Sequence, residues 1–303
     1  MAGALLAVLV WQADLDEVLA VLAAADVRLL VPAGILLAVH YASKGLRWRA
    51  LLGPEVPRLL AIRLTLVGFL LNNIVPARAG ELGRPWLLAK NHPSASFSYA
   101  LATLLGDKLM DLLFTLVCLL VAAAALPLPD FARGGAAALG GVGLVALVGA
   151  ALAGRWLERG GQLPARLAER ASGVLPVLHQ FAAGLATVSS PRRALPAVGW
   201  TALVFLLAGG ELTLCMWAVG VEGTLFHAIF VLGMLGIGFA IPSPPTHAGT
   251  YHFFAAQALQ LSGVATAEQA LAFAVLAHAF QVGTVSVFGL LSTIDLEWRA
   301  RDP

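Results

Sequence analysis

Charge is scarce in this sequence. Only 12% of its 303 residues are Asp, Glu, Lys or Arg, about half the share of soluble domains, while 59% are hydrophobic. With a mean hydropathy of +0.86 the apolar residues must face lipid as well as one another, which excludes a water-soluble globule and leaves a polytopic membrane protein. Net charge is also small, +2, and the 19 Lys and Arg gather in clusters between apolar runs, so no nucleic-acid partner is expected. Cysteine is nearly absent. Cys118 and Cys215 lie inside apolar runs and form no Cys-x-x-Cys pair, so neither a disulfide framework nor a thiolate metal site is expected. No Gly-x-x-x-x-Gly-Lys-Ser/Thr loop occurs, so no nucleotide-driven motor is expected. The run from Met1 to Trp11 lacks a basic start and a small-residue cleavage site, and reads as a short or tilted helix in place of a signal peptide.

Apolar segments dominate what is present. At roughly 20 residues per crossing, spans are expected at 29–46, 97–125, 134–153, 195–219 and 268–291. Two further stretches, 59–75 and 224–242, run into breaks at Pro76 and at Pro242, Pro244 and Pro245. Between Asp14 and Asp26, Leu and Val recur at helical spacing with acids between them, the pattern of an amphipathic surface helix. Residues 155–193 carry six arginines against two glutamates. They read as a basic interfacial helix joining one half at 27–153 to another at 195–295. Its role is orientation by the positive-inside rule or binding of an anionic lipid.

Charge bias then decides how the breaks sit. The segment from Lys44 to Arg63, the linker, and the tail with Arg299 and Arg301 are basic and therefore expected in the cytoplasm. A full crossing by 59–75 would strand Arg78, Arg84 and Lys90 outside and reverse the span that follows. A chain that enters from the cytoplasm, breaks at Pro76 and returns through a half-helix from about Ala79 to Lys90 keeps 16 of the 19 basic residues inside. Only Arg28 and Arg133 are then outside, with Lys108 within a span. The second break, at 242–250, falls on a hairpin entered from the outer face. The expected fold class is an all-α polytopic membrane protein with about six to eight transmembrane segments, including two opposed re-entrant or broken helix hairpins in an inverted repeat.

The breaks also share a pattern. Pro76-Ala77-Arg78-Ala79-Gly80 is matched 169 residues later by Pro245-Thr246-His247-Ala248-Gly249. Each copy separates two apolar half-helices and precedes a span with polar residues: Asp107, Lys108 and Asp111 in the first half, His278 and Gln281 in the second. Backbone that leaves a helix inside a bilayer must line protein or a wet cavity. Half-helices starting at Gly80 and Gly249 aim N–H groups and partial positive charge into such a cavity, where anions bind. Arg78 and Arg84 add forks that suit phosphate, and His247 adds a titratable partner opposite.

The expected headgroup site therefore comprises Arg78, Arg84, Gly80, His247, Gly249 and Asn73. Glu81, Asp107, Lys108, Asp111, Glu211 and His278 form a coupling or structural ion network. Several alternatives stay open. Asp107, Lys108 and Asp111 either stabilise the hairpin or bind substrate or protons; Lys108 holds Asp111, Glu81 or Asp107; Arg78, Glu81 and Arg84 contact substrate or form a structural network. Asn72 and Asn73 cap broken backbone or touch substrate, and Glu211 carries a coupling proton or pairs with His227 or His278. Tyr251, Phe253 and Phe254 read as packing or lipid contacts. His247 and His252 are five apart with no third ligand, so no metal, and no cofactor, is expected.

The stretch Asn72-Asn73-Ile74-Val75-Pro76-Ala77-Arg78-Ala79-Gly80-Glu81-Leu82-Gly83-Arg84, followed by Gly106-Asp107-Lys108-Leu109-Met110-Asp111, resembles the transmembrane region of lysylphosphatidylglycerol synthases and their free-standing flippase-like relatives. Pro242 to Thr250, Ala270-Leu271-Ala272-Phe273 and His278-Ala279-Phe280-Gln281 resemble the second signature, so the likeness runs from Leu29 to Leu291. It implies translocation of a membrane lipid or a polyprenyl-phosphate-linked substrate in the bacterial inner membrane, with linker and C-terminus cytoplasmic. Two departures stand out. Relatives usually have Pro-Gly-Gly where this chain has Pro245-Thr246-His247, and the acid ahead of the first Asp-containing span is here Asp107 beside Lys108. Relatives that make lysyl-lipids carry a soluble aminoacyltransferase domain, which this sequence lacks, so synthesis of that lipid is not expected. The competing readings are a membrane-embedded lipid-modifying transferase, with Glu81 or Asp107 as base, and a scaffold subunit of such an enzyme. Catalytic residues are not expected on the first reading.

Overall fold

A computed structural model describes residues 2–75, 79–92, 95–158, 191–241 and 244–299. Among the described residues every regular element is helical. The helices are α1 (Ala2–Gln12), α2 (Leu15–Ala23), α3 (Leu30–Leu52), α4 (Arg58–Ile74), α5 (Ala79–Asn91), α6 (Phe97–Ala125) and α7 (Asp130–Glu158). After the undescribed stretch follow α8 (Pro191–Ala218), α9 (Leu225–Ala240), α10 (Thr250–Leu261) and α11 (Ala267–Arg299). Single 3-10 turns occupy Val27–Leu29 and Pro245–His247.

Four helices among the described residues are long and apolar enough to cross a bilayer: Val27–Leu52, Phe97–Ala125, Arg192–Ala218 and Ala267–Ile294. They coincide with four of the expected spans. The fifth expected span, 134–153, falls within the 29-residue α7, which packs along α6 with Gly140 and Gly143 seated against Leu116. Outward faces carry Val31, Ile35, Leu206, Leu290 and Ile294, all exposed. In a bilayer such side chains lie against acyl chains.

At the N-terminus, α1 spans only 11 residues and packs on α10 with Leu9 buried. The amphipathic helix expected from Asp14 forms as α2. Asp14 caps it, accepting from the Asp16 N–H at 2.9 Å, and Asp16 and Glu17 put negative charge at the positive end of the helix dipole. Of the basic linker helix expected at 155–193, residues 155–158 instead close α7 and 191–193 open α8, while the rest, with Arg159, Arg166 and Arg170, lies outside the described residues.

Both breaks fall where proline and glycine put them. The first separates α4, of 17 residues, from α5, of 13; the second separates α9, of 16, from α10, of 12. Each is shorter than the roughly 20 residues of a full crossing. Within each pair the helices pack on one another. The α4–α5 contact is backbone on backbone: a Cβ on Gly80 would overlap the Gly68 carbonyl oxygen, so only glycine permits this approach.

The order long helix, short pair, long helix occurs twice, as α3, α4–α5, α6 and as α8, α9–α10, α11. The long helices α3 and α8 form the most extensive packing in the molecule and run antiparallel, since the Asp26 N–H just before α3 meets the Ala218 carbonyl at the end of α8 at 2.8 Å. Each short pair then leans on the last helix of the other half, α4 on α11 and α9 on α6. Exchange of the two halves preserves this pattern, as an inverted repeat requires.

Candidate functional site

Where the two short pairs meet, a cavity of about 280 Å³ opens between the halves, with side chains from α3, α4, α5, α6, α8, α9, α10, α11 and the second break. One wall is ionic and the other is uncharged except for one carboxylate.

The ionic wall forms because α6 carries Asp107 and Asp111 four residues apart, on one face, opposite Lys44 and Arg47 three apart on α3. Arg47 is fully buried. Its Nε donates to Asp107 Oδ1 and its Nη1 to Asp111 Oδ1, both at 2.7 Å. Lys44 Nζ lies 3.5 Å from Asp111 Oδ2 and reaches the cavity. Behind the wall, Arg84 from α5 is 5% exposed, with Nη1 3.9 Å from Asp107 Oδ2, Nη2 donating to Thr65 Oγ1 at 3.0 Å, and the guanidinium 4.3 Å from the Trp48 ring centre. Trp48 is fixed in turn by donating Nε1 to Thr103 Oγ1 at 3.1 Å. The most open pair is Lys108 Nζ with Glu81 Oε1, at 2.7 Å, whose side chains are 37% and 29% exposed. Four cations thus face three carboxylates.

On the opposite wall Glu211, in the middle of α8, is fully buried. Its oxygens accept from Cys215 Sγ at 3.4 Å and from Gln281 Nε2 at 3.0 Å. The pairings considered for it with His227 and His278 are not made. His227 accepts the Thr224 N–H at 3.0 Å and so caps α9, while His278 Nε2 bonds the Thr246 carbonyl at 2.7 Å and holds the second break in place. Tyr251, expected as packing, is 2% exposed, lines the cavity and stacks on His278 with ring centres 4.6 Å apart.

The break residues divide. Asn72 Oδ1 accepts the Gly80 N–H at 2.9 Å and caps α5 across the first break, and Asn73 Nδ2 reaches Ser286 Oγ at 3.5 Å on α11 while both asparagines line the cavity. At the second break the Gly249 N–H donates to His252 Nδ1 at 3.2 Å. The two backbone donors expected to meet an anion are therefore already engaged by side chains. His247 lines the cavity with its ring 4.8 Å from Phe239. Thr246 and His247 adopt φ of 62° and 58°, left-handed values that a glycine accepts freely and other residues only with strain. Those are two positions where the resemblance expects glycine. Arg78, with Pro76 and Ala77, lies outside the described residues, as do Pro242 and Ser243.

The structure therefore gathers Glu81, Lys108, Asp111, Asn73, Glu211, His247 and His278 around one space, and leaves Arg84, Asp107, Gly80 and Gly249 behind its lining. It also adds Lys44 and Tyr41 to that space, with Arg47, buried outside the lining, holding Asp111 in place. From the sequence Lys44 and Arg47 count only as topology markers, and the apolar span ends at residue 46; the helix continues to Leu52 because α6 neutralises Arg47 inside the protein. The legible signal was spacing: two cations at i, i+3 and two acids at i, i+4 on two long helices. Among the described residues no group of three or more His, Cys, Asp and Glu side chains is arranged to hold a metal ion.

A family model described as "Lysylphosphatidylglycerol synthase TM region" matches residues 1–289. No curated protein matches the chain at a significant level.

Proposed function

The chain belongs to the lysylphosphatidylglycerol synthase transmembrane-region family, and on that premise we propose that it moves an amphiphile with an anionic, phosphate-bearing headgroup across the bacterial cytoplasmic membrane. The headgroup passes through the cavity while its chains stay in lipid. The observation that carries this reading is the charged cavity itself, where the two helix pairs converge within an apolar helical shell. Ionisable groups at membrane depth cost several kcal/mol unless paired. A cluster of four cations and three carboxylates, in and behind the wall, is expensive as mere packing, yet suits a site where one anion is exchanged for another.

Lys108 and Glu81 make the exchangeable pair, since both are partly open and both line the cavity. An incoming phosphate takes the place of Glu81 on Lys108, with Lys44 as second contact. Arg47 stays on Asp107 and Asp111 and keeps the wall standing. Arg84 acts as a positioning residue through Asp107 and Trp48, and on sequence grounds Arg78 remains a further phosphate contact. Glu211 is the lining carboxylate whose described partners, Cys215 and Gln281, are neutral. It shares the cavity lining with Tyr41, Tyr251 and His278. A proton is the cation that can neutralise it there, so Glu211 is the proposed coupling site. The halves rock around the cavity as in other inverted-repeat transporters, with the basic segments and C-terminus in the cytoplasm.

The test uses purified full-length chain in proteoliposomes with fluorescent phosphatidylglycerol. Chemically unchanged lipid is expected to reach the opposite leaflet. Lys108→Ala slows it by about tenfold or more, the worth of one charge-assisted hydrogen bond, and Lys108→Arg retains part of the rate. An imposed pH gradient changes the rate in the native chain and leaves Glu211→Gln indifferent. A change in lipid mass would instead support the transferase, and neither movement nor mass change would support the scaffold.

A further inference from the structure

A second, separate pocket lies at the other end of the α3–α8 contact, between the last turns of α3, the loop that leads into α4, and the first turns of α8. Its volume is about 700 Å³, and it is lined by Arg49, Arg58, Arg192 and Arg193 together with Leu46 and Trp200. Two of the four guanidinium groups are fixed by neutral acceptors. Arg49 donates Nε to the Val56 carbonyl at 3.0 Å and Nη2 to the Pro54 carbonyl at 3.1 Å; Arg193 donates Nη1 to Tyr99 Oη at 3.1 Å. Carbonyl and hydroxyl oxygens hold a guanidinium in position without cancelling its charge. Arg58 and Arg192 are exposed at the rim.

Among the described residues no ion pair joins a carboxylate to any of the four. Glu55 sits on the same loop and offers one negative charge against four positive ones. Nor does the adjoining stretch 159–190 supply the balance by composition, since it contributes three arginines and one glutamate. Among the described residues positive charge therefore exceeds negative charge in this pocket, which suits an anion from outside the chain.

We propose that this pocket binds the phosphate of an anionic phospholipid of the leaflet that the basic segments face, at a site distinct from the cavity. Guanidinium forks match phosphate oxygens in pairs. Basic pockets between helices at a membrane surface hold such headgroups. Trp200 and Leu46 give the glycerol and first methylenes an apolar wall, and the amphipathic indole suits the headgroup depth. Because the pocket takes Arg49 from the first half and Arg192 and Arg193 from the second, its occupant bridges the two halves. The inference does not depend on what the cavity carries.

The experiment measures lipid retention by native mass spectrometry on full-length protein in neutral detergent, with dioleoylphosphatidylglycerol or dioleoylphosphatidylcholine added. All comparisons are made in the Lys108→Ala background, which weakens phosphate binding in the cavity. Phosphatidylglycerol is expected to stay bound and phosphatidylcholine to be lost. Arg58→Gln/Arg192→Gln lowers phosphatidylglycerol retention by about tenfold or more, while Arg58→Lys/Arg192→Lys keeps part of it. Both pairs alter exposed side chains, and matching thermal unfolding shows that the fold is intact. Equal retention of the two lipids, or undiminished phosphatidylglycerol in the glutamine variant, overturns the proposal. Complete displacement by inorganic phosphate overturns the lipid assignment, because the site then binds the free anion.

Discussion

Arg47 holds the ionic wall together. Two carboxylates from another helix converge on one buried guanidinium, and Asp107 has only the more distant Arg84 beside it otherwise. Breaking such a pair leaves charge buried without compensation, so Arg47→Met is expected to cost roughly 3–5 kcal/mol, read as a large fall in Tm in detergent. Arg47→Met/Asp107→Leu should recover part of that loss, since it removes both members of the closest pair while Asp111 keeps Lys44 and Arg84 loses only its more distant partner. If the double variant is no more stable than the single, the pair is not the cause. A second residue-scale effect concerns Thr246. A β-branched side chain at φ 62° carries strain of about 1–3 kcal/mol, against about 1 kcal/mol of extra chain entropy lost by glycine. Thr246→Gly should therefore raise Tm, leaving its carbonyl free to hold His278.

At the scale of elements, the helix pairs depend on how closely their backbones approach. Gly80 sits where a methyl group would overlap the Gly68 carbonyl and crowd Asn72 Oδ1. The overlap is with backbone and cannot be relieved by a rotamer change. Gly80→Ala should separate α4 from α5, cost about 1–3 kcal/mol or more, and loosen the cap that Asn72 places on α5. Gly199 on α8 has nothing within 4 Å of a built Cβ. Gly199→Ala should be neutral or stabilising by up to about 1 kcal/mol through helix propensity alone. Thermal unfolding of the two variants side by side separates close packing from propensity, and equal effects would contradict the close approach.

At the scale of the whole molecule, rocking of one half against the other requires the contacts of α9 on α6 and α4 on α11 to slide. A Cβ on Gly236 lies 3.0 Å from Thr115 Cβ, near enough for a disulfide after a small shift. Thr115→Cys/Gly236→Cys should therefore stop lipid movement in proteoliposomes when oxidised and restore it on reduction. Unchanged movement in the oxidised form would mean that the halves do not work about this interface.

The amino-acid sequence by itself determined the membrane class, four of the crossing helices and the positions of both breaks. Those features are local: apolar length, proline and glycine act within a few residues of where they stand, so α5 begins at Ala79 and α10 at Thr250, close to where the motifs put them. Only the tertiary structure decided which charge meets which. Arg47 reaches Asp107 across 60 residues of sequence and Gln281 reaches Glu211 across 70. A cation at the edge of an apolar run looks alike whether it faces cytoplasm or a carboxylate on a neighbouring helix, and helix packing alone distinguishes the two. For the same reason Arg84, suited to phosphate by its type, lies buried against Trp48, while Lys44, read as a marker of sidedness, opens onto the cavity.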